Sequence, residues 1–302
     1  MDYSQCEIAH LYKGITAFFL KAKPRFCFCL IMRLYARLEP CIWPILAMIN
    51  ISLERVSMIP SDIVKQQLAP TGVLRAGINL SNFLLVSGQL DDGSPDGISP
   101  NIARYIAATL DVPCELISFD RPGKLADAVN QNIWDIGNIA FEAERAQTLD
   151  FSNPYVLIEA NFLFRQEEDF VSNDDVDHAS VRIAVSERSA YDLWLTDNFK
   201  KAQIVRAPSI KAAHQMFFEN EVTVLASLKP KLLEDMESHK GLRLIETPFT
   251  AVKQSVGIAK RKPEAVAFLN ALIADLIRNG WIAAQMDRHG VAEKLGVPTL
   301  SA

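Results

Sequence analysis

The sequence predicts an α/β fold of two lobes, each a mostly parallel sheet flanked by helices. Three observations lead there. From Val73 onward, strand-like alternation and helix-like apolar stripes succeed one another, and strand–helix–strand–helix–strand within ~70 residues calls for parallel βαβ units. The pattern then starts again as a second unit at Val181. Finally, the chain leaves the first unit near 160–180 and returns near 246–256, so two connections join the lobes, a geometry suited to hinge closure on a ligand. The division is 58–160 plus 255–302 for the first lobe, 161–254 for the second, and 1–57 as an atypical N-terminal segment.

That first segment differs in kind. Residues 1–57 hold seven Lys/Arg against four Asp/Glu, whereas 58–302 hold 24 against 32. Four of the five cysteines also lie in the segment, leaving Cys114 alone in the body, which therefore forms no internal disulfide. Cys27-Phe-Cys29 has neither the spacing nor the histidine pair of a zinc site, and no metal or cofactor is expected. Ile15–Leu20 and Phe26–Met32 are too short to span a membrane, and Cys41–Leu53 resembles a signal-peptide core but lies deep in the chain and contains Pro44. Three readings stand: an export or anchor segment, a membrane-associated amphipathic stretch, or a start codon assigned too early. The last is favoured, with Met58 expected as the true start. The net charge of −5 gives a nucleic-acid partner no electrostatic support.

In the body, Ser61 caps a short helix to Leu68, stopped before Pro70. Val73–Ile78 reads as a strand and Asn79–Val86 as a loop or second short strand. Leu90–Gly97 is turn-rich; its aspartates Asp91, Asp92 and Asp96 lack EF-hand spacing, so solvated turn is preferred to a calcium site. Pro100–Leu110 carries Ile102, Ala103, Ile106 and Leu110 on one helical face. Cys114–Phe119 is the next strand and Lys124–Asn130 the next helix. Trp134–Tyr155 then joins a buried strand (Ile133–Ile139), a short helix carrying Arg145 and an aspartate–aromatic turn closed by Asn153-Pro154. An arginine just past the carboxyl end of a strand suits capture of a small anion, because ligands of open α/β sheets bind there. A solvated arginine is the competing reading.

Glu159–Arg165 is a further strand, followed by polar, acidic residues to Ala179. In the second unit Val181–Val185, Ala202–Arg206 and Val222–Ala226 read as strands. Helices follow each, the first opened by the capping-box spacing Ser189-Ala-Tyr-Asp192 and the others covering Ser209–Glu219 and Lys229–Ser238. Gln254–Ala259 returns as a strand, and Pro263–Met286 reads as one long helix around Gly280.

Five stretches carry a resemblance: TGVLRAGI from Thr71, GISPNIAR from Gly97, WDIGNIA from Trp134, ERAQTLDFSNPY from Glu144 and VRIAVSERSAY from Val181. Over residues 70–295 the chain resembles the family 3 extracellular solute-binding proteins. The resemblance implies the type II periplasmic-binding fold and a role as the solute-binding component of a polar amino-acid ABC importer. It also implies a membrane permease as partner, a monomer, and a periplasmic location; no convincing signal peptide accompanies it, so a cytoplasmic location stays open. By the same resemblance, Arg145 clamps the ligand carboxylate, a role its planar fork of donors suits. Phe83 and Phe119 fall near the aromatics that sandwich the ligand, and Ser189 at a helix start whose N–H groups favour an anion. Asn82, Asn138, Ala140 and Tyr191 complete the ligand-contacting set.

Departures from the family pattern matter equally. The usual Ser/Thr five residues before the arginine is Ala140, and the second-lobe Asp that takes an ammonium is placed at Ala226. The loop after the first strand is Asn79-Leu-Ser-Asn82-Phe83 in place of a proline–aromatic one. An ammonium buried without its carboxylate is poorly compensated, so a small carboxylate or other anion fits better than a standard amino acid.

Enzymatic signals are weak. His10, His178, His214, His239 and His289 are scattered and expected at the surface, and no nucleophile elbow or phosphate loop is present. The same fold hosts dehydratases of cyclohexadienyl acids, for which Glu142 or Glu187 would be the acid; both are expected as solvated loop or helix-start residues. A stand-alone ligand sensor is the third class. No catalytic residue is assigned.

Overall fold

The computed structural model describes residues 59–299; the readings made for 1–57 and Met58 lie outside the described residues. The chain enters through α1 (Asp62–Leu68), whose cap Ser61 accepts the Val64 N–H at 3.3 Å. β1 (Leu74–Asn79) follows, then a run of turns over 80–86 where a second short strand was an alternative. A small ladder of β2 (Gly88–Gln89) and β3 (Pro95–Asp96) leads into α2 (Ile98–Leu110), whose Ile102, Ile106 and Leu110 are fully buried. β4 (Cys114–Phe119), α3 (Pro122–Asp127), β5 (Ile136–Ala140) and β6 (Leu149–Phe151) come next. Arg145 lies not on an α-helix but at the first position of a three-residue 3₁₀ turn, Arg145–Gln147.

β7 (Val156–Arg165) carries the chain to the second half, built from α4 (Asn173–Val176), β8 (Arg182–Ser186), α5 (Ala190–Asn198), β9 (Gln203–Ala207) and α6 (Ile210–Phe218). β10 (Val224–Leu228), α7 (Lys229–Ser238) and β11 (Leu242–Leu244) complete it, and β12 (Thr250–Ala259), α8 (Pro263–Arg278) and α9 (Trp281–Arg288) return to the first. The expected single helix around Gly280 is two, bent by 67°. Gly280 takes φ +77°, a left-handed conformation that suits glycine and ends α8.

The strands form one path, β4-β1-β5-β12-β7-β10-β8-β9. β4, β1 and β5 are parallel with β12 running against them. β9, β8 and β10 are likewise parallel with β7 running against them. The two lobes thus share one plan, as expected for the type II periplasmic-binding fold. The crossings lie within strands. β7 pairs with β12 through Val156–Ala160 and with β10 through Ala160–Phe164, while β12 pairs with β7 through Thr250–Gln254 and with β5 through Gln254–Ile258. Both long strands therefore belong to both lobes.

Packing fixes the elements that frame the space between the lobes. Trp134 donates its indole N–H to Leu125 O at 3.0 Å and joins Leu125, Ala128 and Leu149 in a core cluster that holds α3 against the sheet. The second-lobe cluster includes Ala213, Phe217 and Leu232, from α6 and α7. A larger core runs through both halves, from Leu74 and Ile102 to Phe162, Val185 and Leu272.

Candidate functional site

Two pairs of parallel strands, running in opposite directions, end at one cavity: β1 with Asn79 and β5 with Ile139 and Ala140 from one lobe, β8 with Ser186 and β10 with Leu228 from the other. This is where the fold places ligands. The starts of α3 (Pro122), α5 (Ala190, Tyr191) and α6 (Ile210), the cap Ser189, the turn residues Ser81 and Asn82, and β12 (Val252, Gln254) complete the wall with Arg145. The cavity between the lobes measures about 50 Å³, room for a few water molecules.

Arg145 is the only charged residue among those lining it. The residue is 4 % exposed, and its side chain donates from Nη1 to Ala140 O and from Nη2 to Arg188 O, both at 2.9 Å. The guanidinium therefore bridges the lobes through backbone carbonyls, and no carboxylate among the described residues pairs with it. Burial pulls its pKa from 12.5 to about 10; Glu142 opposes that pull and Arg188 adds to it. A buried cation without a counter-charge is costly unless an anion arrives.

Beside it, burial pushes the Glu142 carboxyl from 4.5 up to about 7, with Asp197 adding to the rise and Arg145 and Lys253 opposing it. Glu142 is half-buried and stands outside the cavity lining.

Of the residues expected to contact ligand, Arg145, Ala140, Asn82, Ser189 and Tyr191 line the cavity, and Asn138, Phe83 and Phe119 do not. Asn138 is buried on β5 and donates to Ser99 O at 2.5 Å. Phe83 packs against the main core, and Phe119 joins the Trp134 cluster. Ala226 is also displaced: β10 runs two residues further than expected, leaving Ala226 fully buried at mid-strand and Leu228 at the cavity. In either register no carboxylate stands there. Ser189 caps α5, its Oγ accepting the Asp192 N–H at 3.1 Å, but the Asp192 carboxylate accepts the Arg188 N–H rather than that of the cap residue.

Several lining residues were not read from the sequence. Ser186 closes a strand expected to end at Val185, and Gln254 sits where β12 pairs with Ala140 and Val156 at once. His214 corrects an expectation, for it is buried. Its Nδ1 meets Asp235 Oδ2 at 2.5 Å and its Nε2 meets Ser227 Oγ at 3.0 Å. Despite burial, hydrogen bonds from His214 and Lys231 hold the Asp235 carboxyl below its usual range. Ser227 interacts with the hydroxyl of Tyr191, whose pKa burial raises. Although this looks like an acyl-transfer triad, Ser227 is 1 % exposed and absent from the cavity wall. Its place is beneath Tyr191, as support.

A sequence profile described as bacterial extracellular solute-binding proteins, family 3, matches residues 81–292. No curated protein matches significantly. Solved structures share the fold at low identity. The cysteine-binding protein from Campylobacter jejuni is 15% identical with a TM-score of 0.63, covering 78% of this chain and 99% of its own. An amino acid ABC transporter substrate-binding protein from Streptococcus pneumoniae, bound to L-arginine, is 17% identical with a TM-score of 0.60, at 79% and 100% coverage. An ancestral amino acid-binding protein, described as a precursor of cyclohexadienyl dehydratase, is 18% identical with a TM-score of 0.60, at 76% and 99% coverage.

Proposed function

The chain belongs to the bacterial extracellular solute-binding proteins, family 3, and from that premise we propose that it captures a small carboxylate between its lobes. It then delivers that ligand, outside the cytoplasmic membrane, to the permease of an ABC importer. The observation that carries the reading is Arg145, a buried guanidinium that lines the cavity without a carboxylate partner. Neighbours of this fold are described with amino acids. An amino acid's ammonium needs an acid beside it, and the wall here offers Leu228, serines and amides instead. A ligand with a carboxylate and no ammonium pairs with Arg145 and brings no second charge that the wall would leave unpaired.

The test is a thermal-shift screen across organic acids, amino acids and opines, followed by calorimetry on the hits. Ligand at ~100 times its Kd adds about 2.7 kcal/mol of stability. Arg145→Ala is expected to weaken binding tens-fold or more, since stripping a partner from a buried charge pair costs ~2–5 kcal/mol. Unchanged affinity in that variant refutes the assignment.

One observation favours a second reading. Glu142 stands outside the cavity wall, yet burial raises its carboxyl to about 7 near Arg145, the proton affinity of a general acid at neutral pH, and a dehydratase of cyclic acids would need it to reach the ligand from there. Consumption of prephenate by the purified chain, abolished in Glu142→Gln, would decide for it. Stoichiometric binding without turnover decides for capture.

A further inference from the structure

Two asparagines on the cavity wall are held with their amide oxygens turned onto their own loop. Asn79 ends β1, and its Oδ1 accepts both the Ser81 N–H at 3.2 Å and the Ser81 hydroxyl hydrogen at an Oγ–Oδ1 distance of 2.7 Å. Asn82, further along the same loop, turns its Oδ1 onto the Leu84 N–H at 3.3 Å. A backbone N–H can only donate, so the atom facing it is the carbonyl oxygen, and neither amide can be flipped. Nδ2 of neither residue has a partner among the described residues, and both residues line the cavity. What each leaves unpaired is its NH₂ group. The other wall serines, Ser186 and Ser189, can rotate to donate or to accept; these two amides cannot. With Arg145 as the one charged lining residue, the wall sets a cation and two fixed, neutral donors around a single small space.

We propose that Asn79 and Asn82 are specificity-determining residues and that the ligand is an oxo acid, a monocarboxylate with a carbonyl oxygen that accepts from the two amides. This rests on the reading of Arg145 as the carboxylate anchor and adds the ligand's second functional group. A carbonyl oxygen has two lone pairs and no hydrogen, so it satisfies both amides and strands no donor of its own. A hydroxyl also accepts, but its hydrogen then needs a further acceptor. An ammonium carries donors only and meets N–H with N–H, a mismatch that comes on top of the missing acid. A second carboxylate would accept equally well, yet two negative charges would share one cation, and the unpaired one is costly to bury. The space sets the spacing. At roughly 10–15 Å³ for each water-sized group, about 50 Å³ holds only a short chain. Carboxylate and carbonyl therefore lie a few bonds apart.

The experiment compares acids that share a skeleton and differ in one group. The sets are pyruvate, lactate and alanine; acetoacetate, β-hydroxybutyrate and β-aminobutyrate; and levulinate, γ-hydroxyvalerate and γ-aminovalerate, with malonate and succinate as dicarboxylates. Titration calorimetry on the full chain reads each affinity. In at least one set the oxo acid should bind about three- to tenfold more tightly than the hydroxy acid, as one neutral hydrogen bond allows, and the amino acid should bind most weakly. Asn79→Asp and Asn82→Asp keep the oxygen that takes the N–H two residues on, so the loop is retained, and they replace the NH₂ by a second oxygen. Each should raise the amino-to-oxo affinity ratio about tenfold or more. An asparagine that only shaped the loop would, when changed, lower all affinities together and leave that ratio where it was. The inference is overturned by an unchanged ratio in both variants, by a dicarboxylate that binds more tightly than every oxo acid, or by failure of all the oxo acids to bind. The Arg145 reading fails separately, through intact affinities in Arg145→Ala. Carboxylates that bind through Arg145 with no preference among oxo, hydroxyl and amine refute this inference and spare that reading.

Discussion

At the scale of single residues, charge and burial together decide what the site can do. Arg145 bears a cation in a wall of neutral groups, and Glu142 sits near enough to feel it. Because folding raises the Glu142 pKa from 4.5 to about 7, the stability linked to it is fully present below 4.5 and is lost as pH rises through 7. Glu142→Gln stays neutral throughout, so its melting temperature should exceed that of the parent at pH 8 and match it near pH 4.5. Parallel melting curves across that range would contradict the pKa. The ionised carboxylate also repels an incoming anion, so carboxylate affinity should fall across the same interval in the parent and stay level in Glu142→Gln, as titration calorimetry can show.

At the scale of elements, β10, α6 and α7 are tied by His214. Replacing it with alanine strips Asp235 of one partner and frees Ser227 beneath Tyr191. The expected loss is about 1–3 kcal/mol, read as a lower denaturant midpoint at unchanged slope. The elements themselves were largely legible, because apolar alternation and caps such as Ser61, Ser189 and Ser209 are local signals. Their ends were less so. β10 begins two residues late, as Val222 is apolar and buried yet precedes the ladder, and that slip moved the cavity-facing residue from Ala226 to Leu228. His214 and an ion pair between Arg188 and Asp127 were invisible, since 21 residues separate His214 from Asp235 and 61 separate Asp127 from Arg188. Only tertiary packing joins them.

At the scale of the whole molecule, the sheet is one object. β12 lies between β5 and β7, so a chain ending at Phe249 leaves both with open edges, which invite aggregation. Such a truncation should show no cooperative thermal transition and should sediment as aggregate; a sharp melt of a monomer would mean that the lobes fold without their shared strand. The plan of two lobes joined twice was visible in the order of segments. That both joints are strands was not, because Thr250–Lys253 has too little apolar alternation to read as one.

The place of β12 also sets the timetable of assembly. The second lobe has β7 through β11 by Leu244, whereas β5, complete at Ala140, waits for Gln254 and the residues after it. At synthesis rates of about 5–20 residues per second, that edge stays unpaired for on the order of 5–20 s. Contacts so distant in sequence also slow refolding from denaturant. The lobe that comes second along the chain can therefore finish first, and the first-made lobe closes last.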